Sequence, residues 1–137
     1  MSARSKARKR ALDMLYGSDV RGESLQAVLD AETLRAAKEP TRSTSWGYAR
    51  DIAQGVIEHA AEIDETIESY AHGWTLARMP AVDRAILRMG VWEVQFNPEV
   101  PDSVAIAEAV ELAGSLSTEE SSGFVNGLLG RIASTQV

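Results

Sequence analysis

From Trp46 to Ile67 the apolar residues keep one rhythm: Trp46, Ala49, Ile52, Ala53, Val56, Ile57, Ala60, Ile63 and Ile67 recur in steps of three and four. At 3.6 residues per turn, that spacing gathers them on one side of a helix, with acids and Arg50 on the other. A strand would need alternation, and no segment of the chain sustains it. The row predicts a single long helix over residues 44–70.

The rest of the chain follows the same rule. A first helix is expected over residues 5–18, with Ala7, Ala11, Leu12, Leu15 and Tyr16 inward and Arg4, Arg8 and Lys9 mostly off that stripe. Gly17 and Gly22 bracket its end. Ser24 starts a second helix around Leu25, Val28 and Leu29, and residues 39–45 read as a loop. Pro80 suits the first turn of a helix over 80–96 that is apolar on more than one side, and so is expected to be the central one. Asp102 is read as an N-cap for a helix with Val104, Ala107, Val110 and Ala113 inward. Residues 117–120 fit a capping box opening a last helix with Phe124, Val125, Leu128, Leu129 and Ile132. The expected fold is all-α, one compact domain of about six to seven helices over residues 1–137, with a basic arm at 1–10.

Charge is distributed unevenly. Arg4, Lys6, Arg8, Lys9 and Arg10 stand in the first ten residues with no acid, although the chain carries a formal charge of −6. All 20 acids and nine of the 14 basic side chains come later, so the body is −11 and the arm +5. Such a body repels phosphate over most of its surface, and nucleic-acid binding would have to be local. A solvated terminus, a mitochondrial transit peptide and an arginine-rich RNA-binding arm all fit the arm's composition. Against the transit peptide, the basic helix runs straight into the core positions Leu12 and Leu15.

Catalytic chemistry finds little support. There is no cysteine, hence no disulfide, thiolate ligand or thiol nucleophile. His59 and His72 are 13 residues apart without metal-site spacing, and Glu108 with Glu111 lacks histidine partners. No nucleophile elbow or phosphate-cradling glycine loop occurs. No enzyme, metal or cofactor is expected. The longest apolar runs are a few residues, well short of a membrane span, and a cytoplasmic protein is the plain expectation. Gly123 and Gly127 sit in a helical pattern where each costs about 1 kcal/mol relative to alanine. They are read either as a flat strip for tight helix packing or as room beside Phe124 for a ligand or partner chain.

Three stretches carry a family resemblance: ARKRALDMLY (7–16), AVDRAILRMGVWE (81–93) and SVAIAEAVELAGSLSTEESSGFVNGLLGRIA (103–133). With them the chain resembles the NusB family of bacterial transcription antitermination factors along nearly its whole length. The resemblance implies a small all-helical protein that pairs with ribosomal protein S10 (NusE). The pair binds the boxA element of ribosomal RNA leader transcripts and, within an RNA polymerase antitermination complex, promotes read-through. It further implies RNA contacts by Arg4, Lys6, Arg8, Lys9 and Arg10 on phosphates, and by Tyr70, Asp83, Ser122 and Phe124 at bases. Asp83 and Glu120 are the implied contacts with NusE. Leu116 stands where many relatives show an aromatic. Two alternatives stay open. One is a protein-interaction module or homodimer with an RNA face. The other is the substrate-binding domain of a ribosomal RNA methyltransferase, which would need a methyl-donor fold after residue 137.

Overall fold

A computed structural model describes residues 2–39 and 44–135. Among them lie seven α-helices and no strand: α1 (Ala3–Arg21), α2 (Leu25–Ala37), α3 (Thr44–Glu58), α4 (Ala60–Tyr70), α5 (Ala81–Phe96), α6 (Asp102–Leu116) and α7 (Glu119–Ser134). A 3₁₀ turn, Leu76–Arg78, interrupts the connector before α5. Residues 40–43, most of the expected loop, lie outside the described residues. The helices group into two units, the first ending at Glu58 and the second beginning at His59.

Capping sets the limits of the first unit's helices. The Ser2 hydroxyl accepts from the Ser5 N–H, and Gly22, at φ 69°, closes α1 with its N–H on the Asp19 and Ser18 carbonyls. The helix therefore runs longer at both ends than its apolar stripe indicates. Gly17, expected at the end, is inside it. Ser24 caps α2 through the Ala27 N–H, as its position predicts. α1 packs on α3, and α2 on both. Ala7, Ala11, Leu12, Leu15, Leu29, Trp46, Ile52 and Val56 form their shared core. Arg8 is the exception to the expected stripe: it is 2% exposed. Tyr16, expected inside, is 42% exposed.

The predicted helix over 44–70 is two helices. The break falls at His59 (φ −119°, ψ 23°), where no proline or glycine marks it. Apolar spacing is continuous across the break, but the partners are not: α3 packs on α1 and α2, α4 on α5 and α7. His59 leaves the helical path to stack on Phe96, with ring centroids 3.9 Å apart and planes 10° apart. Tertiary packing overrides the local preference for continuing the helix.

In the second unit α5 is central, as expected, packing against α4, α6 and α7. Ala85, Ile86, Leu87, Met89, Val91 and Val94 are buried along it. Two expectations shift here. Pro101, not Asp102, occupies the N-cap of α6, leaving Asp102 in the first turn where the helix dipole favours an acid. The inward face of α6 is Ala105, Ala109 and Ala113, while Val104 is 43% exposed. Of the expected inward residues only Ala113 is buried, and the packed face carries small side chains that let α6 come close to α5 and α7.

The close helix approach is also not where the glycines of α7 point. A Cβ on Gly123 would meet nothing within 4 Å, and one on Gly127 only the Arg131 guanidinium at 3.4 Å. At Gly90 a Cβ would fall 2.8 Å from Leu129 Cδ1. Gly90 is the residue that lets α5 and α7 pack.

Candidate nucleic-acid interface

In the first unit, the basic residues of the arm are the opening turns of α1. The aromatic rings they lie against come from α3. The Arg4 guanidinium lies 4.6 Å from the centre of the Tyr48 ring, and Arg8 lies 5.7 Å from it. Arg10 lies 5.1 Å from the centre of Trp46 and 3.6 Å from the Glu39 carboxylate. Lys9 pairs with Asp13 at 2.7 Å, one helical turn on, with both side chains well exposed. Such an exposed pair is worth little in water and gives way readily to a phosphate. Arg4 and Lys6 are exposed, Lys9 has an exposed side chain, and Arg10 is half-buried. Guanidinium groups are weakly hydrated and stack favourably on aromatic faces. Arg8, by contrast, is packed into the unit.

In the second unit a groove of about 400 Å³ is lined by Trp74, Pro80, Asp83, Thr118, Glu120, Ser121 and Phe124. Asp83 reaches it from the first turn of α5, and Ser121 and Phe124 from the first turns of α7. Thr118 caps α7 by accepting the Ser121 N–H at 3.0 Å, one residue later than the expected box. That cap sets the direction of the Ser121 side chain, whose hydroxyl donates to Asp83 Oδ2 at 2.8 Å. Ser117 and Thr118 hydroxyls each lie 3.0 Å from the same oxygen of Ser121. Asp83 is 2% exposed, and its second oxygen, Oδ1, has no hydrogen-bond partner among the described residues. A buried acceptor left unsatisfied costs roughly 1–3 kcal/mol, so the groove floor favours a ligand that brings a donor. Above it, the Trp74 and Phe124 rings meet edge to face, with centroids 5.2 Å apart and planes at 81°.

The structure thus brings Asp83, Glu120 and Phe124 together, and leaves the other two implied base contacts outside the groove lining. Ser122 turns its hydroxyl to the Glu119 carbonyl at 2.7 Å. It is Ser121, its neighbour, that engages Asp83. Tyr70 joins the end of α4 to the end of α7, its hydroxyl 2.8 Å from Thr135 Oγ1 and its carbonyl accepting from Arg131 at 3.0 Å. Ser121 and Trp74 are groove residues that sequence reasoning missed, and Trp74 is the larger. It lies in the connector, where no periodicity assigns a face, and only its size marked it. Among the described residues no group of three His, Cys, Asp or Glu side chains is placed to hold a metal ion, and no helix is long and apolar enough to cross a membrane.

Known proteins match this arrangement along almost all of the chain. The NusB family profile covers residues 5–134. The transcription antitermination protein NusB of Clavibacter sepedonicus is 66% identical over 136 residues, 99% of each chain. A solved structure of NusB from T. maritima superposes with a TM-score of 0.84 at 32% identity, covering 97% of this chain and 92% of that one. A crystal structure of the antitermination factors NusB and NusE in complex with double-stranded RNA contains a chain with TM-score 0.84 and 27% identity over 99% of both. With its helix order, its cationic opening turns and this match from end to end, the chain belongs to the NusB family.

Proposed function

We propose that the chain is an RNA-binding transcription antitermination factor. It pairs with ribosomal protein S10 (NusE), binds the boxA element of ribosomal RNA leader transcripts, and acts within an RNA polymerase antitermination complex to promote read-through. It works by binding rather than by catalysis, in the compartment where transcription takes place.

The observation that carries this function is the pairing of two unlike features in one acidic chain: a cationic helix face, and a groove lined by two aromatic rings and a carboxylate with an unsatisfied oxygen. Arg4, Lys6, Lys9 and Arg10 suit phosphates, and their contribution is position and salt-dependent affinity. Arg8 supports the face from within. Phe124 suits stacking on an unpaired base, and Asp83 Oδ1 suits a base amino group, which a carboxylate accepts well. Glu120, exposed at the groove's rim, suits a basic partner. A body of −11 gains from such a partner, which offsets repulsion of the RNA.

Titration of a boxA RNA oligonucleotide with NusE present and absent tests the function. Tight binding with NusE, weaker binding alone, and a steep loss in salt are expected. Failure of the mixture to bind at low ionic strength would overturn it.

A further inference from the structure

We propose that Trp74 is a second base-contacting residue of the groove, held in place by Glu68 and Arg84 acting as positioning residues. It presupposes RNA binding by this chain, as proposed above.

Three observations carry it. Trp74 is a large ring left 43% exposed, and it stands perpendicular to Phe124 at the mouth of the groove. A planar base stacked on either ring presents its edge to the other, an arrangement aromatic groups favour. Asp83 lines the same groove, and its Oδ1 is buried and unsatisfied, an acceptor for a base N–H.

The third observation is how the connector is held. Trp74 follows a turn in which His72 and Gly73 both take positive φ, 52° and 85°. Segments of this kind are ordinarily among the more mobile parts of a protein. Here three hydrogen bonds fasten it just after the tryptophan. The Leu76 N–H donates to Glu68 Oε2 at 2.8 Å, reaching back to α4. Arg84, on α5, donates from one nitrogen to the Leu76 carbonyl at 2.9 Å and the Met79 carbonyl at 2.8 Å. Both ends of the 3₁₀ turn are thereby tied to helices on either side, which holds the connector that carries Trp74 before any ligand arrives. A ring already in place spares the ordering cost of binding.

The full chain with NusE and a boxA RNA oligonucleotide supplies the test. Trp46 and Trp92 are 5% and 9% exposed, so acrylamide quenching reports chiefly on Trp74. RNA is expected to shield that emission. Trp74→Ala is expected to weaken binding about five- to a hundredfold with the salt slope unchanged, the range seen for base–aromatic stacking. Glu68→Gln and Arg84→Met, with helicity retained, are expected to raise quenching of the free protein and weaken binding severalfold. Arg84→Lys, which keeps a donor to one carbonyl, is expected to recover part of the loss. Equal affinity for Trp74→Ala and the unaltered chain, with acrylamide quenching indifferent to RNA, would overturn the role of Trp74 while leaving RNA binding intact. No binding by the unaltered chain would instead overturn the function on which it rests.

Discussion

On α1 the cations other than Arg8 reach the surface, and the rings of Trp46 and Tyr48 lie against Arg10 and Arg4. In the groove of the second unit Trp74 is exposed, Phe124 is half-buried and the acid, Asp83, is buried. The same two residue classes are stacked in opposite order. Charge on the outside meets a uniform phosphate backbone at long range and is screened by salt. Charge at the floor of an aromatic groove acts only on a group that has entered it, at hydrogen-bond distance. Under the proposed function the contrast divides the work of one small helical chain: one unit would contribute position, the other preference.

The largest effect expected is on the scaffold of the second unit. Leu87 is fully buried in α5, and Leu87→Ala should destabilise the protein by about 2–5 kcal/mol, as large-to-small changes in packed cores do. A denaturation midpoint barely moved would remove α5 from the centre of that unit.

Next comes the charge layer. Replacing Arg4, Lys6, Lys9 and Arg10 together with glutamine should weaken boxA binding at low salt. The dependence of log affinity on log salt should flatten by roughly 0.7 for each single-strand phosphate that is no longer neutralised. Arg8 is left in place because its burial would confound stability with binding. An unaltered slope would erase the distinction between the two units.

Phe124→Ala sharpens the comparison from the other side. It should weaken binding by about 1–3 kcal/mol, leave the salt slope alone, and cost less in thermal stability than in affinity. A melting temperature that falls while affinity holds would assign the ring to the core. The smallest effect is expected at Tyr48. Tyr48→Leu removes the ring under Arg4 and should cost about 0.5–1 kcal/mol of binding, with Tyr48→Phe close to unaltered, because the ring face and not the hydroxyl carries a cation–π contact. Equal affinity for Tyr48→Leu and Tyr48→Phe would show that α3 does not orient the arm.

Much of this could be read from residues alone, and the failures are instructive. Ser24, Gly22 and the many-sided apolar pattern of α5 state their roles locally, through a cap, a left-handed turn and burial on every side. The helix break at His59 has no local signal, because the apolar rhythm passes through it and only the change of packing partners and the Phe96 stack produce it. Arg8 looks like its neighbours in the arm, yet it alone of the five is buried. In the groove, Asp83, Glu120 and Phe124 were named as contacts only through the family resemblance, and Ser121 and Trp74 were not named at all. The first is set by a cap that starts one residue later than the pattern indicates, and the second sits in a connector without period.

The sequence by itself determined that the chain would be helical throughout, which helix would be most buried, and where positive charge would collect. Each of these is a property of spacing along the chain, and spacing is what hydrophobic burial and electrostatics act on first. Only the tertiary structure decided which arginine is enclosed, which glycine admits a neighbouring helix, and which aromatic ring faces an unsatisfied carboxylate. Those depend on atoms far apart in sequence meeting within a few ångströms, and packing at that range is decided by every neighbour at once.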